Sequence, residues 1–237
     1  MYKSGVREPT VLHRCISLSP PISSINAQPL IKPYADDSFQ AWEQPEQRPY
    51  RNWDAIKLYE PNQGTHEQQY YDTTKDLTYM YSRIPGGPGG GPGTPSQLFI
   101  LPQKKDGRIY SARLEGKEAH GCKEGKSLIL QASLIAGNAT SDKQSGVWPA
   151  FWALGKSLKD KTQPWPLCGE WDIFETSSGH DWSLGTVHYG VVGNDGKAQD
   201  HIVGSEKNKF DHTQYHTWAL KVDRTNSDWS KQTLQCS

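Results

Sequence analysis

The segment Glu170-Trp171-Asp172-Ile173-Phe174-Glu175 sets three carboxylates within six positions. Read as a strand, its side chains alternate faces, so Glu170 and Asp172 point one way and Glu175 the other. A β-bulge adds one residue and returns Glu175 to the first face, with Trp171 and one of Ile173 or Phe174 turned into the core. Glu170 and Glu175 then stand about four strand steps apart, roughly 13 Å between backbones. Two long side chains leaning over a shorter Asp could bring their carboxyls to about 5–5.5 Å, the spacing at which a retaining glycosidase uses one carboxylate as nucleophile and the other as acid. Crowded carboxyls also split their pKa values, so one can stay ionised while another holds a proton near neutrality. Asp172, between them, is placed to hydrogen-bond one partner and set its charge. An exposed acidic edge strand or a calcium ligand set is the alternative reading of the same acids.

The surroundings are rich in tryptophan: Trp148, Trp152, Trp165, Trp171 and Trp182. Sugar rings offer apolar C–H faces that stack on aromatic faces, and ligand pockets combine such platforms with a few polar groups. Trp165 lies five residues before Glu170 in a Pro-Trp-Pro turn and reads as a substrate platform. Trp171 reads as core. His188 has Thr186 and Gly190 as its period-2 neighbours and can line the carboxylate face; a structural histidine is the alternative.

These residues need strands to hold them. Arg108–Glu115 and Ser127–Ile135 alternate apolar and polar residues, the mark of half-buried strands. Ser96–Gln103, Val147–Leu154, Glu170–Glu175, Leu184–Tyr189 and Tyr215–Val222 complete a series of short strands separated by turns. Ile84–Pro95 is Gly- and Pro-rich and reads as a surface loop. With 16 prolines, 22 glycines and no long amphipathic helix, the pattern is that of an all-β sandwich or barrel. Residues 1–37 read as a weakly ordered extension and 38–237 as one domain. The 237 residues suffice for a core without disulfides.

Composition excludes several classes. Lys plus Arg and Asp plus Glu both count 26, so no basic excess suits a nucleic-acid partner. No run of roughly 18 apolar residues suits a membrane span. Nine tryptophans argue against a disordered chain. The N-terminus carries no readable signal peptide. Among four cysteines, Cys122 and Cys168 are the pair expected to bridge, with Cys15 and Cys236 free; four ordinary thiols is the alternative. Asn138-Ala139-Thr140 is a glycosylation triplet in a polar loop.

Taken together, Gly146-Val147-Trp148-Pro149-Ala150-Phe151-Trp152-Ala153-Leu154-Gly155, Trp165-Pro166 and Gly169–Glu175 resemble the core of glycoside hydrolase family 16, in its bulged, laminarinase-type branch. Glu67–Tyr71, Ser111–Glu115, Thr186–His188 and Tyr215–Leu220 resemble further family segments, and the wording Trp-Pro-Leu-Cys-Gly-Glu-Trp-Asp-Ile-Phe-Glu looks like fungal members. The resemblance implies a concanavalin A-like jelly-roll of two curved antiparallel sheets with a concave substrate cleft. It implies Glu170 as nucleophile, Glu175 as general acid/base and Asp172 as the assisting carboxylate. It further implies Trp165, His188, Trp148, Trp152 and Arg113 as substrate-binding residues, and a Cys122–Cys168 bridge that would tie down the catalytic strand. The expected activity is endo-hydrolysis of β-1,3 or mixed β-1,3/1,4-glucan by a monomer outside the cell or in the wall. No cofactor is required and no metal joins the chemistry, though a structural calcium away from the cleft fits the resemblance. A galactanase, a transglycosylase and a lectin-like binder are the alternatives. Family members continue past the Trp218 strand with a further turn and strands, so the expectation is a sandwich lacking its last strands, whose activity is open.

Overall fold

In a computed structural model, residues 53–56, 67–71, 79–83, 97–137, 139–193, 195–204 and 206–237 are described. The proposed extension 1–37, the Ile84–Pro95 loop, Cys15 and Asn138 lie outside them. The described residues form two compact units, divided in sequence between Ala119 and His120.

The unit before the division is built of short ladders. Strand β1 (Trp53–Ala55) pairs with the later strand β7 (Leu114–Gly116), β2 (Gln69–Tyr71) runs parallel to β6 (Arg108–Ser111), and β3 (Tyr79–Arg83) pairs with β4 (Gln97–Leu101). β5 (Gln103–Lys105) folds back on β6 through Asp106-Gly107, both at positive φ, the conformation a two-residue hairpin turn demands. The single strand expected over 96–103 is interrupted at Pro102, which has no N–H to give a ladder. The one expected over 108–115 breaks between Ser111 and Leu114.

The unit from His120 onward holds two sheets. One is ordered β12–β11–β10–β9: β9 (Ala150–Leu154), β10 (Glu170–Glu175), β11 (Trp182–Val192) and β12 (Ala198–Gly204), with β13 (Asn208–Lys209) on the start of β11. The other is ordered β15–β14–β8: β8 (Ser127–Leu134), β14 (His216–Asp223) and β15 (Thr233–Cys236). β8 alternates exposed and half-buried residues along its whole length, and its inward Leu128 and Leu130 stand opposite Val222 and Leu220 of β14. Ile173 of β10 meets Leu220 and Val222, with Leu128, Phe151, Trp171, Trp218 and Leu234 packed around them. Phe174 is also buried, against Trp218 (ring centroids 4.8 Å) and edge-on to Phe210 (5.6 Å). Both Ile173 and Phe174 are therefore core, where alternation alone expects one.

All strands being antiparallel here, the architecture is an all-β sandwich. Leu220, 1% exposed, sits at its centre. Leu220→Ala is expected to cost about 2–5 kcal/mol, through lost burial and the cavity left behind. Urea unfolding followed by tryptophan fluorescence checks this.

Candidate active site

β10 contains the bulge. Glu170, Trp171 and Asp172 pair in step with His188, Val187 and Thr186 of β11, but Glu175 pairs with Leu184, so β10 spends one residue more than its neighbour. The same slip appears against β9, where Asp172 faces Trp152 and Phe174 already faces Phe151. The extra residue turns Ile173 and Phe174 inward and brings Glu175 to the side of Glu170 and Asp172.

A tryptophan holds each outer carboxylate. The Trp165 indole N–H donates to Glu170 Oε2 at 2.7 Å, and that of Trp148 to Glu175 Oε1 at 2.8 Å. Both rings remain largely open, 45% and 54% exposed, so their faces are free to meet a ligand. Trp152 lies on the same side by register, opposite Asp172.

The Trp165 segment is fixed by close backbone approach. Gly155 N–H donates to the Gly169 carbonyl at 2.9 Å. A Cβ on Gly155 would stand 1.8 Å from the Cys168 carbonyl oxygen, and one on Gly190 of β11 would stand 2.6 Å from Leu167 N. Glycine at both positions is what lets the loop lie flat on β9 and β11 and deliver the Trp165 indole to Glu170.

Asp172 is 8% exposed and lies between the two glutamates. Burial, then the charges of Glu170 and Glu175, push its pKa up to about 7, with His188 pulling the other way. The imidazole of His188 stands against it, with Nε2 3.6 Å from Oδ2. His188 thus joins the site, 5.8 Å from the Trp165 ring, and its other nitrogen contacts Asp200 Oδ2 at 3.0 Å.

Asp200 was not among the residues expected here. It lies on β12, a strand whose residues are mostly exposed and show no apolar period. The available signal was the Gly193–Gly196 turn, closed by a Gly193 N–H bond to the Lys197 carbonyl; counting outward from it sets Asp200 opposite Gly190.

The Cys122–Cys168 bridge is not formed, and both are free thiols. The Cys122 thiol donates to the Lys126 carbonyl at 3.3 Å and packs on the Ile173–Leu220–Val222 cluster. Cys168 lies in the loop against Gly155, where burial raises its pKa. The two thiols face different neighbours, a matter that sequence spacing does not decide. Arg113 belongs to the other unit, where its guanidinium donates to Glu115 at 2.7 Å. In that unit the Tyr71 hydroxyl, pushed up to about 12 by burial and Glu67, donates to the Glu67 carboxylate. Among the described residues no His, Cys, Asp or Glu cluster could hold a metal, and no helix is long and apolar enough to cross a membrane.

The sequence matches no protein-family model and no curated protein. Among solved structures, the chain is similar to the endo-1,3-β-glucanase of Streptomyces sioyaensis, with TM-score 0.58, 22% identity, 78% of this chain covered and 65% of that one. It is similar also to a mixed-linkage-glucan GH16 protein of Bacteroides ovatus in complex with a G4G4G3G product, with TM-score 0.51, 21% identity, 84% of this chain covered and 81% of that one. The chain spans just under two thirds of the length of the Streptomyces protein. These likenesses establish the fold as the jelly-roll sandwich that both share.

The raised Asp172 pKa has a consequence for stability. Unfolded, the group titrates near 3.8; folded, it keeps its proton to about pH 7. The folded state binds the extra proton, so stability falls as pH rises through that window. Asp172→Asn, which copies the neutral form, is expected to match the parent near pH 4 and exceed it at pH 8, by up to about 4 kcal/mol. Urea unfolding at both pH values checks this; equal pH slopes in parent and variant would contradict it.

Proposed function

We propose that the chain is a retaining endo-glycosidase acting on β-1,3 or mixed β-1,3/1,4-glucan. One observation carries the reading: Glu170, Asp172 and Glu175 share one face of β10, and the two glutamates are held by the indoles of exposed tryptophans. Glu170 attacks the anomeric carbon while Glu175 gives its proton to the leaving oxygen, so the glycosidic bond breaks as a glycosyl ester forms. Glu175 then removes a proton from water, the water oxygen attacks the same carbon, and Glu170 leaves as carboxylate. The net result is hydrolysis with the anomeric configuration kept. The Trp165 indole donates to Glu170 and fixes its orientation. A proton held on Asp172 keeps a second negative charge from crowding Glu170 on the strand.

The open faces of Trp165 and Trp148 suit pyranose rings on either side of the broken bond. The solved jelly-roll proteins named for 1,3-β-glucan and mixed-linkage glucan support the choice of a β-glucan over other polymers. The reading extends to a monomer outside the cell or in the wall that works without a cofactor.

Glu170→Gln keeps the shape and the hydrogen bond from Trp165 but removes the attacking charge. Reducing-end release from laminarin or mixed-linkage glucan is expected to fall by about 10³-fold or more, with oligosaccharide binding retained. Turnover comparable to the parent would overturn the assignment.

A further inference from the structure

Beside the three carboxylates the structure holds a fourth, Asp200, reached only through His188. The groups facing the His188 ring come from each surrounding element. From β10, Asp172 Oδ2 lies 3.6 Å from Nε2, and Glu170 is the register partner of His188. From β12, Asp200 Oδ2 lies 3.0 Å from Nδ1. From the loop before β10, the Trp165 ring lies at 5.8 Å. His201, next to Asp200, turns to the other face and stacks on Tyr189.

A carboxylate only accepts hydrogen bonds, so the Asp200 contact puts a proton on Nδ1. In the neutral ring this leaves the Nε2 lone pair aimed at Asp172. We propose that Asp200 is a positioning residue for the carboxylate row: it fixes the Nδ1–H tautomer and the ring plane of His188, so that the unprotonated Nε2 faces Asp172. The assignment deepens the glycosidase reading and rests on it for its catalytic consequence.

A simple clip between strands is a poor account of the same contact. β11 and β12 are already joined by an unbroken ladder from Thr186↔Gly204 to Val192↔Ala198. One more side-chain pair adds little there, whereas the orientation of His188 has no other source among its described polar neighbours, since the Asp172 contact is longer than a hydrogen bond. The arrangement has the logic of an acid–histidine pair, in which the acid chooses the nitrogen that carries the proton and the histidine acts with the other. Here the acting nitrogen faces a carboxyl that is itself buried between the glutamates.

The direct test is the ring itself. Long-range ¹H–¹⁵N spectra of the 237-residue chain, at a pH where the ring is neutral, are expected to show His188 as the Nδ1–H tautomer. Asp200→Ala is expected to convert it to Nε2–H, and Asp200→Asn, whose amide oxygen still accepts, to retain Nδ1–H. On laminarin, D200A is expected to lower kcat by about 10- to 100-fold with KM nearly unchanged and to displace the pH profile, while D200N falls less. An Nε2–H tautomer in the parent, or a tautomer and pH profile unmoved by D200A, would overturn the proposal. If D200A fails to melt cooperatively, the comparison of D200N with Asp200→Leu decides in the same way. The tautomer shift seen in a chain that cleaves no glucan would uphold the role of Asp200 toward His188 and overturn the glucanase reading instead.

Discussion

Three carboxyl groups at the first, third and sixth positions of a strand can share one face only if that strand carries one residue more than its neighbours. β10 meets that condition, with its extra residue between Asp172 and Glu175 and both flanking strands in continuous pairing around it. The bulge has two effects at once. It turns Ile173 and Phe174 into the core, where they anchor the strand against Leu220 and Trp218. It also turns Glu175 outward beside Asp172. The site's charge is thus built on the same residue that fastens the strand, and loss of that packing would cost the fold before it cost the chemistry.

Crowding like charges is unfavourable, and the surroundings answer it by unequal treatment of the three acids. The outer two each take an indole N–H at hydrogen-bond distance. The middle one is buried and answers by holding its proton to about pH 7. His188 stands against it, and Asp200 stands behind His188. The result is a graded set of carboxyls along one strand, the outer two hydrogen-bonded and open to a ligand and the middle one protonated. Such division of labour among neighbouring acids is the general route to acid and nucleophile in one cleft.

Much of this was legible in the residues. Glu170–Glu175 announces its strand by alternation, and the position of Glu175 requires a bulge if the acids are to act together. β8 is readable from its unbroken period of two, because one face packs and the other is wet. β12 was not, since Gln199, Asp200 and His201 are exposed at the edge of the sheet and no apolar pattern marks them. Asp200 was therefore marked only by the turn before it, as its role depends on register across a hairpin. The cysteines misled for a related reason: spacing in sequence says nothing about which way a thiol points, and the Cys122 thiol is turned to a backbone carbonyl of its own segment. The Gly155 and Gly190 contacts that seat Trp165 are long-range backbone approaches, which no local pattern encodes.

The central claim is that the row on β10 forms a covalent bond with a sugar. Incubation with a 2-deoxy-2-fluoro laminaribiosyl fluoride, followed by peptide mass spectrometry, tests it most directly, because the fluorine slows breakdown of the glycosyl ester. The account predicts one added disaccharide, on Glu170, with activity lost in step. Labelling of a different residue, or glucan hydrolysis that proceeds with inversion and leaves no label, would contradict it.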